Sequence, residues 1–137
     1  MVRKHVVVIG TSFIGMEVAA ALIDHAASVT VIGRDRVPFQ VRSLVAKHDN
    51  NLKQMFSVQA SLGEEVGRAL MSLHQQKGVQ FCMEEEVAEF SGDSSLEAVL
   101  LKSDRRLKAD LVVVGVGVTP ATNIAGLPTD ARGEATP

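Results

Sequence analysis

The sequence contains no tryptophan and no tyrosine, and a single cysteine, Cys82, among 137 residues. One cysteine excludes an intrachain disulfide, a CxxC redox pair and a cysteine-built zinc site. No apolar run approaches the length of about 20 residues that spans a bilayer. Neither charge sign is in large excess: 14 Lys and Arg stand against 16 Asp and Glu, with no long basic run. Nothing therefore points to nucleic acid or to an acidic surface as partner. No signal or transit sequence precedes the first strand, which follows Met1 almost at once, so the chain reads as starting inside something larger. Apolar residues, by contrast, are plentiful at 46%, against 22% charged. That balance rules out disorder, and the length fits one globular domain.

His5 to Gly10 (HVVVIG) is a β-branched run closed by glycine, which predicts a buried parallel strand. A helix is expected from about Ile14 to His25, with Val18, Leu22 and Ile23 as its apolar face and three alanines for close packing. Ser28 to Ile32 reads as a second strand, completing a βαβ unit. Ser61-Leu62-Gly63-Glu64 looks like a capping box opening a helix that Gly78 stops. Val79 to Met83 is a third strand. Val87–Phe90, Leu96–Lys102 and Arg105–Lys108 alternate like antiparallel strands, and Asp110 to Gly115 is a last buried one. The order implies an α/β fold: a Rossmann-like parallel sheet with helices on both faces and an antiparallel β-meander.

The segment VVVIGTSFIGMEVAAAL carries the chemistry. Gly10 closes the strand and Gly15 opens the helix, in the positions of the first and third glycines of G-x-G-x-x-G. The first glycine permits a tight turn, and the third lets helix and strand pack closely. The helix N-terminus offers free N–H groups and about half a positive charge to a pyrophosphate. Ser12 stands at the middle position, where its hydroxyl could donate to a phosphate. A bound dinucleotide is expected over Gly10, Thr11, Ser12, Phe13, Ile14 and Gly15. The plainer reading is a glycine turn that only packs a helix on a sheet.

The second strand normally ends in an acid that binds the ribose 2′-hydroxyl of NAD. Here Gly33 occupies that end, followed by Arg34, Asp35 and Arg36. Two arginines without a strand-end carboxylate predict that NADPH binds at least as well as NADH. Solvated loop charges, or an Asp35 that turns inward and favours NADH, are the competing readings. Other classes fail. Tyr-dependent short-chain dehydrogenases need a tyrosine, and a P-loop needs Lys after its last glycine, where Met16 stands. His5, His25, His48 and His74 are scattered and read as surface residues, and Cys82 reads as core.

Gly10 to Ala20 (GTSFIGMEVAA) together with Leu107 to Ala125 (LKADLVVVGVGVTPATNIA) resembles the NAD(P)H-binding domain of the pyridine nucleotide–disulfide oxidoreductase superfamily. PFQ, LGEEVGRAL and EAVLLKS bring it nearest the apoptosis-inducing factor-like flavoproteins, which carry a Rieske [2Fe–2S] domain upstream. The resemblance covers most of the chain. It implies hydride transfer from nicotinamide to FAD, with NAD(P)H bound here and FAD held in another part of the parent protein. It implies that Phe13 gates the nicotinamide pocket and that Glu17 faces the flavin domain, often paired with a lysine there. Gly115, Val116 and Gly117 would lie near the cofactor, with Pro120 turning the chain out. A packing residue at the helix start and a first-turn acid are the plainer readings of Phe13 and Glu17. No flavin-binding motif is present, so this chain is expected to be a fragment of a larger flavoprotein that binds nucleotide without turnover. The flavin domain of the same parent chain is its expected partner, and the compartment implied is cytoplasmic or mitochondrial. A non-catalytic dinucleotide-sensing module is the alternative.

One stretch departs from the family pattern. Pro38-Phe39-Gln40 and Ala60-Ser61-Leu62-Gly63-Glu64 would join at the usual spacing if the 19 residues Val41 to Gln59 were removed. Val41-Arg42 can be encoded as a splice donor, and Phe56-Ser57-Val58-Gln59 as a pyrimidine-rich tract ending in CAG. A retained in-frame intron is the expectation, and an ordinary loop is the alternative. Either way the domain is residues 1–137, with 41–59 outside its core.

Overall fold

A computed structural model describes residues 3–39 and 63–117. The proposed insertion, the Ser61 cap and Pro120 lie outside the described residues. Nine elements follow in order: β1 (His5–Ile9), α1 (Phe13–Leu22), β2 (Ser28–Gly33), α2 (Gly63–Gln76), β3 (Gln80–Met83), β4 (Val87–Ser91), β5 (Ala98–Leu101), β6 (Arg106–Lys108) and β7 (Leu111–Val114).

Four strands form a parallel sheet in the order β3-β2-β1-β7, and β4-β5-β6 form an antiparallel sheet beside it. The β-branched run of β1 is explained by its central place. Val6 and Val8 face one core, with Met16, Ala19, Val29 and Val31. Val7 faces the other, with Ile32, Cys82, Val99 and Leu101. A strand buried on both sides must be apolar at every position. Each fully buried valine of this kind contributes roughly 1.5–3 kcal/mol.

The β1-α1-β2 and β2-α2-β3 crossovers step in the same direction, so their right-handedness puts both helices on one face. The contacts agree. Val79, just after α2, joins the α1 core, and the His74 ring reaches Met16 O. The other face is covered by the meander, through Val99, Leu101 and Ala109. Among the described residues, then, both helices lie on one face and the antiparallel meander covers the other, within the expected α/β fold. A right-handed chain must return from β3 past β1 to reach β7, and the meander occupies that return.

Two smaller expectations change. The close approach of α1 is made by Gly15, Met16 and Ala19, while Val18, Leu22 and Ile23 are half-buried and Ala20 and Ala21 exposed. Nor are all the histidines surface residues. His5 is half-buried with Nδ1 2.8 Å from Ser28 Oγ, and His74 is half-buried between α2 and α1. Cys82 is buried, as its alternation with apolar neighbours predicts. Among the described residues no helix is long and apolar enough to cross a membrane.

Candidate functional site

In the order β3-β2-β1-β7 the chain steps outward from β1 through β2 to β3 and returns to pair β7 on the other side of β1, so the switch point of the parallel sheet lies between β1 and β7. In open α/β sheets the crevice at such a point, outside the carboxyl ends of the strands, binds ligands. The expected residues converge there. Gly10 follows β1 with φ +111°, and a Cβ on it would sit 2.3 Å from Gly115 O. A Cβ on Gly15 would sit 2.1 Å from Gly10 O. A Cβ on Gly115 would meet Gly15 N at 3.2 Å. Three backbone segments therefore touch where only glycine fits. Two bonds fix them: Gly10 N–H donates to Ile32 O at 2.9 Å, and Gly115 N–H to Ile9 O at 2.8 Å.

Ser12 links the turn to the neighbouring strand. Its hydroxyl donates to Gly115 O at 3.0 Å, tying the turn to the end of β7. As N-cap of α1 it makes no side-chain cap bond, and the first turn holds no acid. The first-turn N–H groups therefore have no side-chain carboxylate or hydroxyl cap to displace, which suits an anion. The turn fits a pyrophosphate on these grounds: glycine cradles that a Cβ would fill, and an uncapped helix N-terminus.

Thr11 is buried, and its carbonyl accepts the Phe39 N–H at 2.9 Å. Phe39, at φ 63°, lays its ring 4.8 Å from that of Phe13, tilted by 51°. Phe13 is 64% exposed, and Ile14 and Val116 are exposed beside the same turn. Glu17 is exposed one turn into α1. Gly117, at φ +132°, has open space around it. Gly33 is buried. A Cβ there would sit 2.6 Å from Thr11 Cγ2 and 2.9 Å from Met83 Cε, so a side chain at this strand end would have to displace both. Arg34 and Arg36 are both exposed, but Arg36 is not a lone cation: its Nε donates to Glu84 Oε1 at 3.3 Å.

The site thus gathers Gly10 to Gly15, Gly33, Val116 and Gly117 at adjoining strand ends. Phe39, Met83, Gly115 and Glu84 complete it. Phe39 and Met83 gave no signal by spacing, since their contacts come from the loop after β2 and the end of β3. The carboxylates following a strand that pairs with β2 were the available hint for Glu84. Among the described residues no group of three or more His, Cys, Asp or Glu side chains is placed to hold a metal ion.

The chain is 39% identical over 134 residues to apoptosis-inducing factor 3 of Homo sapiens, covering 95% of this chain and 19% of that protein. It is 36% identical over 121 residues to a peroxisomal monodehydroascorbate reductase of Arabidopsis thaliana, covering 86% of this chain and 21% of that one. The chain therefore spans about a fifth of the length of the curated relatives it matches. Among solved structures, a ferredoxin reductase from Rhodopseudomonas palustris superposes with a TM-score of 0.70 at 29% identity, covering 93% of this chain and 28% of that one. Since the model of the pyridine nucleotide-disulphide oxidoreductases matches residues 1–136, the chain belongs to that family.

Proposed function

We propose that this chain is the NAD(P)H-binding domain of an FAD-dependent, apoptosis-inducing factor-like oxidoreductase, with the flavin held by another domain of the parent protein. The observation that carries the reading is the convergence of Gly10, Gly15 and Gly115 beside an uncapped helix N-terminus at the sheet's switch point. When bound, the nicotinamide supplies a hydride to flavin, chemistry that belongs to the cofactors themselves.

The protein's own residues bind and orient. Gly10 and Gly15 let the backbone approach the pyrophosphate, and the N–H groups of Phe13, Ile14 and Gly15 face its charge. Val116 and Gly117 border the nicotinamide end beyond β7. Phe13, held on Phe39, closes that pocket to water, and Glu17 faces the flavin domain. Gly33, Arg34 and Arg36 lie at the adenosine end. An upstream Rieske domain belongs to the same proposal for the parent protein.

Titrating the full chain with NADH and NADPH, followed by nicotinamide fluorescence, tests this directly. The expected result is saturable binding that ADP-ribose displaces, with no acceptor reduction by the chain alone. Failure to bind either nucleotide refutes the reading. A yellow purified chain that reduces an acceptor with NADH refutes the division of labour between domains.

A further inference from the structure

At the adenosine end of the crevice, the segment after β2 is tied to the segment after β3. Glu84 N–H donates to Asp35 O at 3.1 Å, and Glu85 N–H to Gly33 O at 3.0 Å. These bonds hold Glu84, at φ 58°, opposite Arg36. Its Oε1 accepts the Arg36 Nε–H at 3.3 Å. Arg36 also acts on the start of α2. The Glu64 carboxyl is held below its ordinary value, first by the hydrogen bond and charge of Arg68 and then, more weakly, by the charge on Arg36. Arg36 therefore lies within the field of carboxylates from two elements. Arg34 and Asp35 share its loop, each with interactions of its own.

We propose that Glu84 is a specificity-determining residue: an acid supplied from the end of β3 that engages Arg36 and weakens binding of a 2′-phosphorylated dinucleotide relative to one with a free 2′-hydroxyl. The inference rests on the nucleotide-binding reading above. In this fold class an acid near the ribose favours the 2′-hydroxyl, and a nearby arginine accommodates a 2′-phosphate. β2 cannot supply that acid, because Gly33 is pressed against Thr11 and Met83. Glu84 acts through its pair with Arg36, offsetting the charge of the arginine that would meet the phosphate. The pair is solvated, at 75% and 64% side-chain exposure, so water and salt limit the effect to about 2- to 5-fold.

The experiment titrates the full chain and its Glu84→Gln, Arg36→Gln and doubly substituted variants with NADH and NADPH. With no Trp and no Tyr in the chain, nicotinamide fluorescence is read without their emission. Glu84→Gln should raise the NADPH-to-NADH affinity ratio by about 2- to 5-fold. Arg36→Gln should lower the ratio, and adding Glu84→Gln to it should produce little further change. An unmoved ratio in Glu84→Gln, while both nucleotides still bind, overturns the role of Glu84 and leaves nucleotide binding standing. An equal rise in the Arg36→Gln background overturns the route through Arg36. Binding of neither nucleotide by any variant overturns both this inference and the reading beneath it.

Discussion

Single residues set the limits of the crevice. A methyl group at Gly15 meets Gly10 O at 2.1 Å, and backbone cannot yield as a flexible side chain can. Gly15→Ala should therefore push α1 off β1 and weaken NADH binding at least tenfold, about 1.4 kcal/mol. Circular dichroism of the same sample separates loss of the site from loss of the fold. Unchanged affinity would show that helix and strand need not meet here. Ser12 presents a subtler case. Its hydroxyl bonds a carbonyl 103 residues away, so Ser12→Ala should cost about 0.5–1.5 kcal/mol in chemical denaturation. If the hydroxyl served phosphate alone, stability would not move. The turn's glycines were legible in the sequence because their spacing is local. The Ser12 bond was not, because nothing in a chain announces which distant carbonyl will arrive beside a hydroxyl.

Elements show the same division. The strands and helices followed from periodicity and from glycine stops, such as Gly78, which ends α2 at φ +98°. What joins them is less local. The His74 Nδ1 lies 2.8 Å from Leu70 O and its Nε2 3.2 Å from Met16 O, with the ring edge-on to Phe81. A neutral imidazole carries one N–H and can satisfy one of these carbonyls, whereas the doubly protonated ring satisfies both. His74→Ala should lower stability by about 1 kcal/mol and loosen α2 from α1. Hydrogen exchange of the α1 amides checks the second part, and unchanged protection would place His74 outside the α1 contact. At the other end of α2, Arg68 holds Glu64 below its ordinary value of 4.5. A lowered carboxylate stabilises the fold above its unfolded value, and that contribution fades as pH falls through the lowered value. Thermal midpoints of the wild type and Glu64→Gln should thus differ near neutrality and converge as the pH falls from 4.5 through the lowered value. A constant gap across that range would assign the difference to something other than this ionisation.

At the scale of the molecule, the described segments on either side of the proposed insertion are in contact. A Cβ on Gly67 would sit 2.6 Å from Pro38 O and 3.0 Å from Val37 Cγ2, so the chain leaving β2 packs on the first turns of α2. Val37 and Pro38 are buried in that contact. A short link can therefore replace a long one, and shortening a loop changes closure entropy only slowly. Deleting Val41 to Gln59 should raise the thermal midpoint and keep nucleotide binding. A lower or unchanged midpoint would refute that expectation, and transcripts that never lack these 19 codons would refute the retained-intron origin. The succession of strands and helices along the chain and the glycine turn were determined by the sequence itself, because each depends on residues close together along the chain. Tertiary structure decided the rest. It put both described helices on one face, committed Ser12 to β7, packed Phe13 on Phe39 and gave Arg36 a carboxylate from β3. Those pairings join residues tens of positions apart, and only the closure of the parallel sheet brings them within reach.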